Sequence, residues 1–179
     1  GRPPVVVDGP DEIRRKIREL VRAGADVIKV ATSGGIMSAG AGPLIPHFRD
    51  DEVAMMVTEA AAAGLHVMAH ANGAGAQTAV RNGVRSIEHG SYLDDETLEM
   101  MVERGTWLVP TLSAPAGIRE SIEAGGNFPD HVVAKITELT ETAVEGVHKA
   151  VRSGVKVAMG TDAPLYPHGK NLRELELLV

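Results

Sequence analysis

Gly64-Leu65-His66-Val67-Met68-Ala69-His70 and Gly83-Val84-Arg85-Ser86-Ile87-Glu88-His89 share one layout: a helix-ending glycine, a short run with β-branched residues, and a histidine six positions after the glycine. The layout recurs on both sides of them. Gly24 leads to Lys29 in five residues, Gly105 to Thr111 in six and Gly154 to Asp162 in eight. Before each run lies a helical pattern that the glycine closes, because glycine takes the left-handed C′ conformation most readily. Helices alternating with buried strands predict right-handed crossovers and a parallel sheet. All strands of such a sheet end at one edge, so the lysine, two histidines, threonine and aspartate at the five ends belong to one potential site.

Strands are expected over 26–30, 66–70, 86–89, 106–110 and 155–159, with helices over 11–23, 50–63, 75–82 and 95–104. The stretch 32–42 is a glycine-rich loop, and 111–154 reads as a loop followed by one long helix opened by Pro129. That gives five strands and about six helices. In a flat sheet the first and fifth strands would stand roughly 19 Å apart, too far for Lys29 and Asp162 to share chemistry. Curling the sheet into a barrel brings those ends together. A complete (β/α)8 barrel takes about 250 residues. The chain has 179, begins without methionine and stops inside a helical pattern, so it is expected to be the later part of a longer barrel.

Composition narrows the partners. A net charge of −6 with scattered Lys and Arg argues against a nucleic-acid surface and favours a small-molecule partner. With no cysteine, disulfides and thiolate sites are excluded, and any metal must use nitrogen and oxygen ligands. No apolar run approaches the ~20 residues of a membrane helix, and the start is not a signal peptide. A soluble, cytoplasmic protein is expected, with a leader on the parent chain left open.

His66 and His70 are four apart, the spacing of a helical metal pair, yet the intervening Val-Met-Ala and flanking glycines make a strand. Four strand residues span about 13 Å, so the two imidazoles cannot share one ion. His70, at the C-terminal end, is the ligand candidate, and His66 is a structural histidine at the lower rim. His89 gains weight from His70, since two histidines at matching offsets on adjacent strands suit one cation. Lys29 lies among Val27, Ile28 and Val30, where burying an unpaired ammonium is costly. A desolvated, neutral lysine could add carbon dioxide to give a bridging carbamate; a snorkelling or ion-paired lysine fits the spacing equally well. Asp162 could bind a hard cation and accept a proton from water, or form an Asx-turn before Ala-Pro. Thr111 is given a lining role, and Tyr166 and His168, just beyond Asp162, are candidates to touch substrate. His47, His131 and His148 read as surface or loop residues, and Gly34-Gly35 lacks the lysine-serine ending of a phosphate loop.

Lys29 in Gly-Ala-Asp-Val-Ile-Lys-Val, His70 in Val-Met-Ala-His-Ala-Asn-Gly, His89 in Ser-Ile-Glu-His-Gly and Asp162 in Met-Gly-Thr-Asp-Ala together resemble the amidohydrolase superfamily. The likeness is to its imidazolonepropionase-like branch, which includes Xaa-Pro and Xaa-Arg dipeptidases. It implies a metal-dependent (β/α)8 barrel, with Lys29 as a carboxylated lysine bridging two zinc ions. His70 and His89 would bind the more exposed ion, and Asp162 the buried one while shuttling the proton. The family's His-x-His pair on the first strand and its small β-sandwich have no counterpart in this sequence. The implied reaction is attack by a metal-activated hydroxide on the amide carbonyl of a dipeptide or N-acyl amino acid, in an enzyme expected to be a homo-oligomer. Cyclic-amide hydrolysis or deamination on the same scaffold is the nearest rival. A non-catalytic partial barrel that self-associates through its open edges is the rival from another class. A phosphate-binding barrel is weaker, because an acid stands where its glycine-rich phosphate loop would be.

Overall fold

The structure is a computed structural model and describes residues 6–37, 42–165 and 167–179. Seven helices and five strands alternate among these residues. In chain order they are α1 (Gly9–Arg22), β1 (Ile28–Ala31), α2 (Asp50–Ala62), β2 (Val67–Ala71), α3 (Gly73–Arg81), β3 (Ser86–His89), α4 (Asp95–Arg104), β4 (Trp107–Val109), α5 (Ser113–Glu123), α6 (Asp130–Arg152), β5 (Lys156–Val157) and α7 (Arg173–Leu177). The strands form one sheet in the order β1-β2-β3-β4-β5, with every neighbouring pair parallel. This is the alternating α/β architecture read from the sequence. All five marker glycines, Gly24, Gly64, Gly83, Gly105 and Gly154, have positive φ.

Strand alternation sorts the residues between two faces. Val67, Ala69 and Ala71 of β2 are buried against the helices, and Met68 and His70 lie on the opposite face. Register then aligns Ala31, His70, Glu88 and Val109 in one row across β1 to β4. Ile28, Val67, Ile87 and Leu108 meet Ile13, Val53, Met56, Val80, Leu98 and Met101 of the helices in one core. Gly75 in α3 has a packing reason: a Cβ there would stand 2.4 Å from the Thr32 carbonyl oxygen, so only glycine lets this helix press against the chain leaving β1. Thr32 Oγ1 donates to the Gly75 carbonyl at 3.0 Å across the same contact.

Three expectations change. Residues 111–154 contain two helices, not a loop and one helix; α5 carries Pro115 in its first turn, where proline is tolerated, and Gly117 just after it. The last strand is two residues long where five were expected. Lys29 is exposed, because its neighbours Ile28 and Val30 take the helix-facing side and β1 pairs on one side only.

Ile87 is fully buried on the middle strand. Ile87→Ala should lower the unfolding free energy by about 2–5 kcal/mol. Chemical denaturation checks this, and a change within 0.5 kcal/mol, the range usual for surface sites, would contradict the packing described.

Candidate functional site

At the C-terminal edge of the sheet the chain breaks out of regular geometry at three residues of one kind. His89 (φ 71°), Thr111 (φ 52°) and Asp162 (φ 51°) are left-handed although none is glycine. Each such residue costs about 1–2 kcal/mol, so the surrounding contacts must hold it. His89 is followed by Gly90, also at positive φ, whose added Cβ would meet Leu108 at 2.6 Å. The double left-handed step ends β3 abruptly.

His70 and His89 meet there, with ring centroids 4.5 Å apart in an edge-to-face arrangement. Hydrogen bonds decide which nitrogen of each ring is free. His70 Nε2 lies 3.3 Å from the Gly34 carbonyl oxygen, which can only accept, so Nε2 carries the proton and the Nδ1 lone pair is left. Thr111 Oγ1 lies 2.7 Å from the Pro110 carbonyl oxygen and 2.6 Å from His89 Nδ1. The hydroxyl has a single proton, and the carbonyl requires it. His89 Nδ1 therefore donates to Thr111, and His89 Nε2 keeps its lone pair. Each imidazole is held through one nitrogen and offers the other, as a metal-ligating histidine does.

Electrostatics agree with that use. Burial, then the neighbouring His70 and Lys29, push His89 down to about 3. His70 is also lowered, by burial and by the charges of Lys29 and His47, against the opposing pull of the Gly34 carbonyl and Asp162. Both rings are thus neutral at pH 7, the form that binds cations. Asp162 acts on His70 although three strand spacings, about 14 Å in a flat sheet, lie between their strands. The sheet curls, so the ends of β1, β2, β3 and β5 face one space.

Asn72 fixes the edge between the two histidines. Its Oδ1 accepts from Ser91 N at 2.8 Å and Tyr92 N at 3.3 Å, its own N–H donates to Ser33 Oγ at 3.0 Å, and Gly73 N donates to the Tyr92 carbonyl at 2.9 Å. The loops after β1, β2 and β3 are thereby tied together. Sequence reasoning left out Asn72 and gave Thr111 only a lining place. The signal for Thr111 was its position six residues after Gly105.

The other expected residues are placed unequally. Lys29 acts on both histidines through charge and Asp162 on His70, yet both are exposed, and no three His, Asp or Glu side chains converge as a metal cage among the described residues. The donor set present is a histidine pair, which fits a divalent cation in chemistry but supplies only part of a coordination sphere. His168 is exposed and makes no hydrogen bond or ion pair among the described residues, and Tyr166 lies outside them. His66 sits at the opposite edge as expected, but exposed, where a packed or hydrogen-bonded histidine was expected.

Because the unfolded chain binds a proton at His89 near pH 6.5 that the folded chain refuses until about 3, stability should fall as pH drops across that window. Urea midpoints between pH 4 and 7.5 should show a shallower slope in His89→Gln than in the wild type; equal slopes would refute the assignment.

Comparison with known proteins places this geometry. The amidohydrolase family profile matches residues 2–179. Ochratoxinase from Aspergillus niger is 36% identical over 178 residues, which is 99% of this chain and 36% of that protein. Its crystal structure superimposes with a TM-score of 0.83 over 98% of this chain and 41% of its own. The crystal structure of a Xaa-Pro dipeptidase with methionine bound in its active site is 37% identical, with a TM-score of 0.90 over 97% of this chain and 43% of its own. A prolidase complexed with N-methylphosphonate-L-proline is 36% identical, with a TM-score of 0.81 over 88% of this chain and 38% of its own. The chain spans well under half of each of these proteins, as five consecutive units of their α/β barrel. By profile, relatives and barrel geometry together, it belongs to the amidohydrolase family.

Proposed function

We propose that the protein to which this chain belongs is a metal-dependent hydrolase of amide C–N bonds, acting on a dipeptide or an N-acyl amino acid. The observation that carries this is the His70–His89 pair, with one free lone pair on each ring, in the field of Lys29 and Asp162. The proposed substrate class is supported by two relatives, one a Xaa-Pro dipeptidase and the other a prolidase complexed with N-methylphosphonate-L-proline.

In this reading His70 Nδ1 and His89 Nε2 would hold one zinc ion and Asp162 a second, with a carboxylated Lys29 as a further ligand. When bound, zinc would supply Lewis acidity, lowering the pKa of a water to about 7 and polarising the substrate carbonyl. Asp162 takes the proton of the attacking water and returns it to the leaving nitrogen, since it is a carboxylate held at the mouth by its left-handed turn. His168 would hold the substrate carboxylate or the developing oxyanion, and Tyr166 is a further candidate to touch substrate. Carboxylation of Lys29 would need cover that β1, exposed at Lys29 and paired on one side among the described residues, does not give it.

A second reading, a non-catalytic partial barrel, rests on β1 and β5, each paired on one side only among the described residues. As an isolated chain it would self-associate through those edges. A mass measurement in solution tests it, and a monomer at all concentrations would remove it.

Elemental analysis of the purified chain should find zinc or a similar divalent ion near one equivalent, lost in the His70→Ala/His89→Ala double variant. A folded wild type that takes up no ion would count against the pair as a centre. In the longer protein Asp162→Asn should cut kcat at least a hundredfold, with a free α-amine as product in the wild type. Ammonia release would favour the deaminase instead.

A further inference from the structure

We propose that Glu174 is a positioning residue for His89: it pins the turn that carries Thr111, and through Thr111 it determines which nitrogen of His89 is left free. Glu174 is completely buried, far in sequence from the turn it serves. Its carboxylate accepts from Leu112 N at 2.8 Å, Ser113 N at 2.7 Å and Ser113 Oγ at 2.6 Å. Those are the two residues directly after Thr111. The two backbone groups are also among the otherwise unpaired N–H groups at the start of α5, so the negative charge lies where the helix dipole favours it.

The left-handed conformation of Thr111 is the reason such a clamp matters. A β-branched residue avoids that region, and without an external hold the turn would relax towards negative φ. Relaxation would swing Oγ1 away from His89 Nδ1. The proton on Nδ1 would then lose its acceptor, and the ring could adopt the other tautomer, closing the nitrogen that a cation needs. Glu174 also lies on the segment that follows Asp162. One carboxylate therefore anchors the chain beyond β5 to the turn beyond β4.

The consequence for metal binding rests on the function proposed above; the tautomer rests on hydrogen bonds alone. The test is long-range 15N NMR of the imidazoles at pH 7.5, with zinc titration alongside, on the wild type, Glu174→Gln, Ser113→Ala, Thr111→Val and Ile87→Ala. Glu174→Gln keeps the size but turns one acceptor oxygen into a donor facing an N–H. The wild type should show His89 with the proton on Nδ1. Glu174→Gln and Thr111→Val should both lose that preference, and zinc affinity should fall at least tenfold in each. Ile87→Ala, a destabilised control that leaves the turn intact, should keep the wild-type tautomer. If Glu174→Gln does not fold, Ser113→Ala, which removes one of the three bonds, should show the same shift in smaller measure.

An unchanged His89 tautomer in Glu174→Gln, or in Ser113→Ala when that variant has to decide, would overturn the inference. So would an equal shift in Ile87→Ala. Failure of the wild type to take up zinc would count against the proposed hydrolase centre alone, because the tautomer measurement would still decide the role of Glu174.

Discussion

In a parallel ladder each strand must stop at the same edge, and there the backbone runs out of partners. Here that edge is resolved by side chains and by reversed φ values. Asn72 closes the loops after β1, β2 and β3 onto one another, and Glu174 closes the turn after β4 onto the segment after β5. The three left-handed residues sit between these clamps. Chemistry and strain therefore coincide for one cause: side chains that turn inward at the ends of strands must leave the pleat, and something rigid must keep them out of it.

The histidine pair shows how the clamps translate into reactivity. Two partly buried imidazoles 4.5 Å apart could not both be charged, so burial and proximity favour their neutral forms. Two hydrogen bonds to groups that need a proton then choose opposite nitrogens, Nε2 of His70 and Nδ1 of His89. Neither choice involves a charged partner. Lys29 and Asp162 act on His70 with opposite signs, the lysine lowering its pKa and the aspartate raising it.

Much of the fold was legible because its signals are local. A glycine closing each helix, a β-branched run and a polar terminal residue are properties of six to nine consecutive positions, and they located all five strands and both histidines. Short-range composition also misled, since α5, which carries Pro115 and Gly117, lies within what read as a loop. What lay out of reach depends on distance. Glu174 meets Leu112 across 62 residues, and Thr111 matters because its single hydroxyl proton is already committed to Pro110. The exposure of Lys29 followed from which side of β1 is paired, a fact of the whole sheet and not of its neighbours in the chain.

Asn72-Gly73 carries a consequence for how this protein ages. An asparagine before glycine is the pairing most open to deamidation, because the glycine nitrogen can attack the side-chain amide carbon and close a succinimide ring. Here the Gly73 nitrogen is donating to Tyr92, and the Asn72 amide oxygen is engaged by Ser91 and Tyr92. Ring closure must wait until those bonds open. The appearance of isoaspartate at position 72 is therefore a slow clock for this edge of the sheet, recording how often the clamp between the two histidines lets go.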